Sequence, residues 1–304
     1  MAAAALPPRL LLLLLALAAA SAAASAAAAA GSAAAAAPAG EPLLAAAVRG
    51  ERLRVPSGAA APFSAVGQLE SGCSAFFIAR CAALTVGHCV YDPKRAIWWP
   101  GTTLHAGRNA PDWSPFGAAP AARAEVPAAW QSRGDPAADV ALLLLADGRA
   151  ADAAGWLPLR GCGEQAAALD AALASGAAVL SVAGYPDDRE NGTMWAGACG
   201  ARRWRDRPSS RSLGVDGGGG GGGALGGTGT AGLLEHDCGT RGGDSGAPLW
   251  VTDDGGRRTP LAVHIAAEKA RGRREAAGRQ PTPLAVPLVG ELCEWLRQRV
   301  AAHC

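Results

Sequence analysis

The spacing of apolar residues changes from one long run near the N-terminus to many short runs further along the chain. From about residue 60 onward the apolar runs are short, and segments rich in Gly, Pro and Asp separate them. Short apolar runs that are separated by turn-forming residues are typical of strands in all-β sandwiches and barrels. We therefore predict strands at residues 63–69, 75–79, 82–86, 140–145, 177–183, 247–251 and 260–267.

The C-terminal segment has a helical spacing instead. After Pro287, apolar residues recur at every fourth position from Leu288 to Val300. Proline is favoured at the first helical position, and Arg297 lies near the end of the segment, where cations stabilise a helix dipole. The pattern predicts a helix over residues 287–302.

The N-terminal run has the features of a secretory signal. Arg9 precedes a continuous apolar stretch over residues 10–20, and small residues follow it. We predict a signal peptide at residues 1–24, an Ala-rich pro-segment or linker at 25–54 and a folded domain at 55–304. The alternative is an uncleaved membrane anchor, although the strongly apolar part is too short to cross a bilayer by itself. With the signal cleaved, we expect a secreted protein without stable membrane association.

The eight cysteines agree with an oxidising compartment, where disulfides persist. Cys73 and Cys89 flank two strand-like runs, and an antiparallel hairpin of that length returns the chain to its start. A Cys73–Cys89 bridge would therefore hold the loop that contains His88. Four further cysteines cannot be paired from the sequence: Cys81, Cys162, Cys293 and Cys304. Asn191 begins an Asn-Gly-Thr sequon in a polar, turn-rich stretch and is a predicted glycosylation site.

Charge and motif spacing exclude several classes of function. The formal net charge is +2, and no basic stripe interleaved with aromatic residues indicates nucleic-acid binding. The cysteines lack the paired spacing of zinc ligands. The glycines at 217–223 are followed by no phosphate-binding Lys-Ser/Thr and are interpreted as a flexible surface insertion. We expect neither a metal nor a cofactor.

Three short motifs contain the candidate chemistry. They supply His88 within residues 85–89, Asp139 at the start of 139–143, and Ser245 within 242–249. A serine hydroxyl is a poor nucleophile unless an imidazole takes its proton and a carboxylate orients that imidazole. The order His, Asp, Ser is that of the two-barrel trypsin-like fold.

Two further assignments complete this set. The N–H groups of Gly243 and Ser245 are predicted to form an oxyanion hole, which holds the negative oxygen of the reacting carbonyl. Asp135 is an alternative orienting carboxylate. It precedes Pro136 in a turn, whereas Asp139 leads directly into an apolar run, which favours Asp139.

On these motifs the chain resembles the trypsin-like serine peptidases, and most closely their glutamyl-endopeptidase branch of bacterial and fungal type. The resemblance extends from Arg54 to His264, and its segments lie at residues 67–73, 84–92, 184–188, 192–195 and 236–243. It implies an all-β fold of two six-stranded antiparallel β-barrels with a C-terminal helix. The first barrel would cover about 55–150, with His88 and Asp139, and the second about 151–284, with Ser245.

The same resemblance implies activity, partners and disulfides. The chain is expected to be a monomeric serine endopeptidase that hydrolyses protein or peptide substrates. Both the Cys73–Cys89 pair and a Cys199–Cys238 pair, which flanks the glycine-rich insertion, match cysteines of similar chains. A different possibility is a catalytically inactive homologue that acts as a binding or scaffold protein, although no triad residue is missing.

Specificity and activation are also predicted from the resemblance. Trypsins attract Lys or Arg with an Asp six positions before the nucleophile, where this chain has Gly239. Thr240 and His264 match the residues with which the glutamyl-endopeptidase branch binds a Glu side chain, so cleavage after Glu, and more weakly after Asp, is predicted. The alternative is that His264 is a packed strand histidine and Thr240 a turn residue. Trypsin-type zymogens release a new N-terminus that pairs with the Asp before the serine, here Asp244. The candidate processing site is Arg54–Val55.

Overall fold

The computed structural model describes residues 43–44, 50–174, 179–204, 232–268 and 282–304. The predicted signal peptide and the glycine run at 217–223 lie outside these described residues, as does most of the Ala-rich segment. The strands are β1 (Arg52–Arg54), β2 (Val66–Leu69), β3 (Ser74–Ala79), β4 (Ala82–Thr85), β5 (Tyr91–Asp92), β6 (Ile97–Trp98), β7 (Leu104–Ala106), β8 (Ala118–Ala119), β9 (Ala121–Glu125), β10 (Ala141–Leu145), β11 (Leu180–Gly184), β12 (Trp195–Cys199), β13 (Ala201–Arg203), β14 (Leu234–His236), β15 (Pro248–Thr252), β16 (Arg258–Glu268) and β17 (Thr282–Pro287).

Two curled antiparallel sheets contain most of these strands, which confirms the predicted all-β double-barrel class. The first sheet has the order β8-β7-β2-β3-β4-β10-β9, and the second has the order β1-β12-β11-β15-β16-β17-β14-β13. The sheets contain seven and eight strands rather than six each. The prediction missed short edge strands such as β8 and β13, whose few residues give no periodic signal in the sequence.

The N-terminal strand β1 belongs to the second sheet. It pairs with β12 in the register Arg52 with Gly197 and Arg54 with Trp195. The folded part of the chain therefore begins upstream of residue 55, where the sequence analysis placed its start.

Successive side chains along a strand point to opposite faces of the sheet, and both faces of each sheet are buried. In β10, Leu142 and Leu144 pack in a core shared by the two sheets, whereas Leu143 and Leu145 pack in a core of the first sheet alone. The second sheet repeats this arrangement, with Trp250 in the shared core and Leu249 in its own core. Strands buried on both faces read as continuous apolar runs, which explains why β10 was readily predicted.

Four helices surround the sheets in the described part of the chain: α1 (Ala128–Arg133), α2 (Arg149–Ala154), α3 (Cys162–Ala174) and α4 (Gly290–His303). The C-terminal helix was predicted to open at Pro287, but Pro287 is the last residue of β17 and α4 begins at Gly290. Proline also fits the end of a strand, because it needs no amide donor there. Helix α3, rich in alanine, was not predicted.

All eight cysteines are paired in the structure. Besides the two predicted pairs, Cys73–Cys89 and Cys199–Cys238, there are bridges between Cys81 and Cys304 and between Cys162 and Cys293. The last two attach α4 to the β3–β4 turn and to α3, which fixes the C-terminal helix against both sheets. None of the helices among the described residues has the length and apolar character that a membrane span requires.

Candidate active site

His88 lies in a single 3-10 turn, Gly87–Cys89, directly after β4. A Cβ at position 87 would come within 2.6 Å of the Trp130 indole, so only glycine allows Trp130 of α1 to pack under this turn. The turn leaves the His88 side chain 37% exposed, while the Asp139 side chain beneath it is only 8% exposed. His88 is therefore presented to a ligand from a rigid support.

The carboxylate of Asp139 bonds to His88 at two points. Its Oδ1 accepts the backbone N–H of His88 at 2.8 Å, and its Oδ2 lies 2.8 Å from His88 Nδ1. The second contact requires the proton on Nδ1, which leaves Nε2 as the basic nitrogen. Asp135, the alternative, instead accepts the N–H of Ala137 at 3.0 Å and caps its own turn. The structure thus brings together His88 and Asp139, not His88 and Asp135.

Ser245 lies in the loop before β15 of the second sheet, and one hydrogen bond and one disulfide connect this loop to the loop of His88. The carbonyl of Ser245 accepts the N–H of Ser74 at 2.8 Å. Ser74 follows Cys73, which is bridged to Cys89, the residue after His88. One disulfide and one hydrogen bond therefore connect His88 and Ser245 at the junction of the two sheets.

The Ser245 hydroxyl does not yet bond to His88. Its Oγ donates to the carbonyl of Ile265 at 3.1 Å, and the described residues contain no hydrogen bond between Ser245 and His88. Rotation about a single side-chain torsion releases this hydrogen bond and allows Oγ to take another direction. Catalytic hydrogen bonds are often absent or long without substrate and form only in the complex.

Gly243 gives the loop before Ser245 its shape. Its φ is +80°, a left-handed conformation, and a Cβ there would collide with the carbonyl of Tyr185. Only glycine adopts this conformation without strain. The carbonyl of Gly243 accepts the hydroxyl of Ser74 at 2.9 Å. The N–H groups of Gly243 and Ser245 donate to no acceptor among the described residues, as an oxyanion hole requires.

Thr240 and His264 are both buried, with exposed fractions of 5% and 2%. The Thr240 hydroxyl has no hydrogen-bond partner in the described structure. A buried polar atom without a partner is unusual in a protein, and here it leaves the Thr240 hydroxyl able to bond a ligand. Thr240 is therefore a candidate binding residue on structural grounds as well.

A second histidine, His236 of β14, determines the proton positions on His264. His236 Nδ1 accepts the N–H of Cys238 at 3.3 Å, so the proton of neutral His236 is on Nε2. His236 Nε2 lies 3.0 Å from His264 Nδ1 and donates to it. Leu284 O, which can only accept, lies 3.1 Å from His264 Nδ1. In the tautomer in which His236 Nε2 donates to His264 Nδ1, His264 carries its own proton on Nε2, where it is a donor.

Both histidines are neutral near pH 7. Burial lowers the pKa of His236 to about 4, partly offset by its hydrogen bond to Leu284. Burial, the neighbouring His236 and the Arg52 guanidinium hold the pKa of His264 well below its usual range. The pair can therefore donate a hydrogen bond to a carboxylate without adding a positive charge of its own.

Two neighbours of Thr240 explain features that the sequence left open. Gly239 has φ +65°, and a Cβ there would collide with the carbonyl of Gly50, so the N-terminal segment fills the space of a side chain at this position. The Arg241 guanidinium has other partners: its Nη1 donates to the Thr240 carbonyl at 3.1 Å, and its Nε lies 3.6 Å from Asp188.

A cleft of about 600 Å³ borders His88, and Thr240 and His264 are not among the residues that line it. Trp130 and Arg133 of α1 form one wall, and Lys94 and Trp99 next to the β5–β6 hairpin form another. The cleft is open to solvent and offers room for an extended ligand next to His88.

The predicted pair Cys199 and Cys238 forms a geometric cluster with His236 whose ligand atoms lie within 4.8 Å of one another. The two sulfurs are bonded to each other in the structure. A disulfide sulfur is not the thiolate that binds a metal, so this cluster offers one imidazole alone. Asn191, the predicted glycosylation site, is exposed, and its Oδ1 accepts a hydrogen bond from Gln68 at 3.2 Å.

Sequence reasoning missed three residues that support the site: Ser74, His236 and Arg52. His236 had a usable signal, since it stands two positions before a predicted disulfide cysteine. Ser74 and Arg52 had none, because a single serine or arginine has no motif of its own.

Comparison with known proteins establishes the fold of this chain. No protein-family model matches the sequence, and no curated protein matches it. One similar solved structure is a Glu endopeptidase in complex with MPD, with a TM-score of 0.61 and 17% identity over 84% of this chain and 99% of the other. Another is the protease Anisep from Arthrobacter nicotinovorans, with a TM-score of 0.53 and 14% identity over 76% of this chain and 93% of the other. At such identities the likeness defines the fold, the trypsin-like double barrel.

Proposed function

We propose that this protein is a serine endopeptidase. The observation that carries the proposal is the pair of hydrogen bonds that Asp139 accepts from the backbone N–H and the Nδ1–H of His88, together with a serine loop that leaves two backbone N–H groups free. These two hydrogen bonds orient the His88 ring for proton transfer, which a histidine with a packing role alone does not require. The protease-like fold supports the same class of reaction.

The residues act in a defined order during the reaction. Ser245 Oγ attacks the scissile carbonyl carbon while His88 Nε2 takes its proton, and Asp139 stabilises the imidazolium that results. The N–H groups of Gly243 and Ser245 stabilise the oxyanion. His88 then protonates the leaving amine, and an acyl group remains on Ser245. A water molecule, deprotonated by His88, attacks this ester and releases the acid.

The substrate preference that Thr240 and His264 support best is Glu on the acyl side of the cut bond. Thr240 Oγ1 has an unused hydrogen-bonding capacity, and His264 carries its proton on Nε2. Two neutral donors suit a carboxylate and give no attraction to Lys or Arg. Similarity to a Glu endopeptidase supports this assignment.

The compartment is proposed to be extracellular or within the secretory pathway. Four disulfides that use every cysteine support an oxidising environment. Use of the exposed Asn191 sequon would agree with this location.

Hydrolysis of casein and of a peptide library by the purified protein tests the activity and its preference together. Wild type is expected to cut after Glu, and Ser245→Ala to lose about 10⁶-fold in kcat, as other triad enzymes do. Ser71→Ala, an exposed serine in a turn, is the matched control and should behave as wild type. Equal turnover by Ser245→Ala would exclude the proposed mechanism, and an inactive wild type would indicate a binding protein instead.

A further inference from the structure

A buried ion pair connects the first strand of the chain to the loop of the candidate nucleophile. Arg52 of β1 donates from Nη1 to Asp244 Oδ2 at 2.9 Å and from Nη2 to Asp244 Oδ1 at 3.1 Å. The two side chains are 6% and 0% exposed. This two-point geometry matches a guanidinium to a carboxylate and fixes both groups in direction as well as distance.

Asp244 stands between the two residues whose N–H groups form the proposed oxyanion hole. Its carboxylate also accepts the N–H of Arg241 at 2.9 Å, and its carbonyl accepts the N–H of Ala247 at 2.8 Å. The side chain thus folds residues 241–247 around itself. Gly184 has no Cβ at the point where one would lie 2.6 Å from Asp244 Oδ1, so the sheet closes over the carboxylate.

A buried carboxylate in this position requires a cation. Burial raises the pKa of Asp244, and the Arg52 guanidinium opposes that shift. Without Arg52 the carboxylate would be left unpaired inside the protein, which strongly disfavours the conformation that buries it. The loop conformation that frees the N–H groups of Gly243 and Ser245 therefore depends on Arg52.

The strand that supplies Arg52 is part of the fold. Gly50 N donates to Ala198 O at 2.9 Å, and Arg52 Nη2 donates to Trp195 O. At the other end of β1, Val55 is buried, and its N–H donates to Met194 O at 2.9 Å. Cleavage at Arg54–Val55, the candidate processing site, would separate the Arg52 guanidinium from the rest of the chain, and the new ammonium of Val55 would form at the position where Val55 N now bonds to Met194 O.

We propose that Arg52 is a positioning residue that forms the oxyanion hole through Asp244, and that the active chain retains β1. In this arrangement the Arg52 side chain pairs with the Asp before the serine, as a newly released N-terminus does in trypsin-type zymogens. Removal of the residues before Val55 then inactivates the protein instead of activating it. This inference rests on the proposed peptidase function.

Variants of the full chain test the pair. Arg52→Gln is expected to lower kcat about 100-fold or more, the range for loss of an oxyanion-hole interaction, with KM changed by less than about threefold. Arg54→Gln is the matched control, because Arg54 is on the same strand but its side chain is 50% exposed and 3.7 Å from Glu190. It should stay within about twofold of wild type.

Two further measurements separate positioning from a general loss of folding. The double variant Arg52→Gln/Asp244→Asn removes both charges together and is expected to recover about tenfold or more of the kcat lost in Arg52→Gln. All variants are assayed well below their own melting temperatures. The intact mass of the active wild-type protein gives its N-terminus, which should precede residue 52.

The outcomes distinguish this inference from the proposed function. An active wild type together with a fully active Arg52→Gln, or an active form that begins at Val55, overturns the role of Arg52 and leaves the peptidase function standing. A double variant no better than Arg52→Gln also overturns it. A wild type that neither cleaves peptides nor reacts with a serine-directed probe overturns both.

Discussion

Asp139 accepts both the backbone N–H and the Nδ1–H of His88, each at a distance of 2.8 Å. The first bond fixes the backbone turn and the second fixes the ring. Together they leave a single nitrogen, Nε2, to take a proton from Ser245.

Substitution of this carboxylate should therefore affect the chemical step. In Asp139→Asn a single amide oxygen remains to accept the backbone N–H of His88, and the amide NH₂ then donates to Nδ1, which selects the wrong tautomer; we expect kcat to fall by about 10⁴. Asp135→Asn, four residues away in the 3-10 turn, is the control and should leave kcat within about twofold. Steady-state kinetics on one peptide substrate measures both. A larger loss in Asp135→Asn would mean that the orienting carboxylate has been assigned wrongly.

Selectivity for Glu should depend on Thr240 and His264. Thr240→Val and His264→Ala each remove one donor to the substrate carboxylate, and such bonds correspond to about 10–100-fold in binding. We expect kcat/KM for a Glu substrate to fall by about that factor relative to the matching Gln substrate. His105→Gln alters a half-buried histidine elsewhere and serves as control. An unchanged Glu-to-Gln ratio in His264→Ala would contradict the pocket assignment.

Stability should fall as the pH is lowered, because of the buried histidine pair. The pKa of His236 is about 4 in the native state, whereas an unfolded histidine titrates near about 6.5. Between these values the unfolded chain binds more protons than the native chain, so the free energy of unfolding decreases as the pH falls, by up to about 3 kcal/mol for His236. His236→Gln should reduce this slope.

Urea unfolding of wild type and of His236→Gln at pH 7 and pH 4.5 measures how the free energy of unfolding of each protein changes with pH. Burial raises the pKa of Asp244, which acts in the opposite direction at the acidic end, but Asp244 is present in both proteins, so their comparison isolates His236. Parallel pH profiles for wild type and His236→Gln would contradict the neutral, buried state of His236.

Two disulfides should differ in what their removal does. Replacing Cys73 and Cys89 by serine frees the loop of His88, so kcat should fall together with stability, the latter by about 3 kcal/mol for a loop of this length. Replacing Cys162 and Cys293, which join α3 to α4, should cost more stability because their loop is longer, at 131 residues against 16. The kcat of the folded fraction should then be unchanged. Equal kcat in both variants would mean that the Cys73–Cys89 bridge has no part in placing His88.

The sequence predicted the strands that are buried on both faces and the residues that stand in fixed motifs. β10 and the hairpin of β3 and β4 were predicted because their apolar runs are continuous. His88, Asp139 and Ser245 were proposed as site residues because each has a local motif. The C-terminal helix was found by its period, but its start was misplaced by three residues because proline fits either element.

What the sequence could not predict depends on contacts between distant segments. Arg52 and Asp244 are separated by 192 positions, and neither residue indicates its partner. The His236–His264 bond joins two strands that pair only through β17. The Cys81–Cys304 and Cys162–Cys293 bridges could not be deduced either, because four unpaired cysteines allow several connectivities.

Labelling by a fluorophosphonate probe, with the adduct located by mass spectrometry of tryptic peptides, tests the central claim most directly. The probe reacts with a serine hydroxyl only when a neighbouring base and an oxyanion hole activate it. Wild type should carry one adduct, on Ser245, and His88→Ala should carry none. An unlabelled wild type, or equal labelling of wild type and His88→Ala, would contradict a serine-peptidase site formed by His88, Asp139 and Ser245.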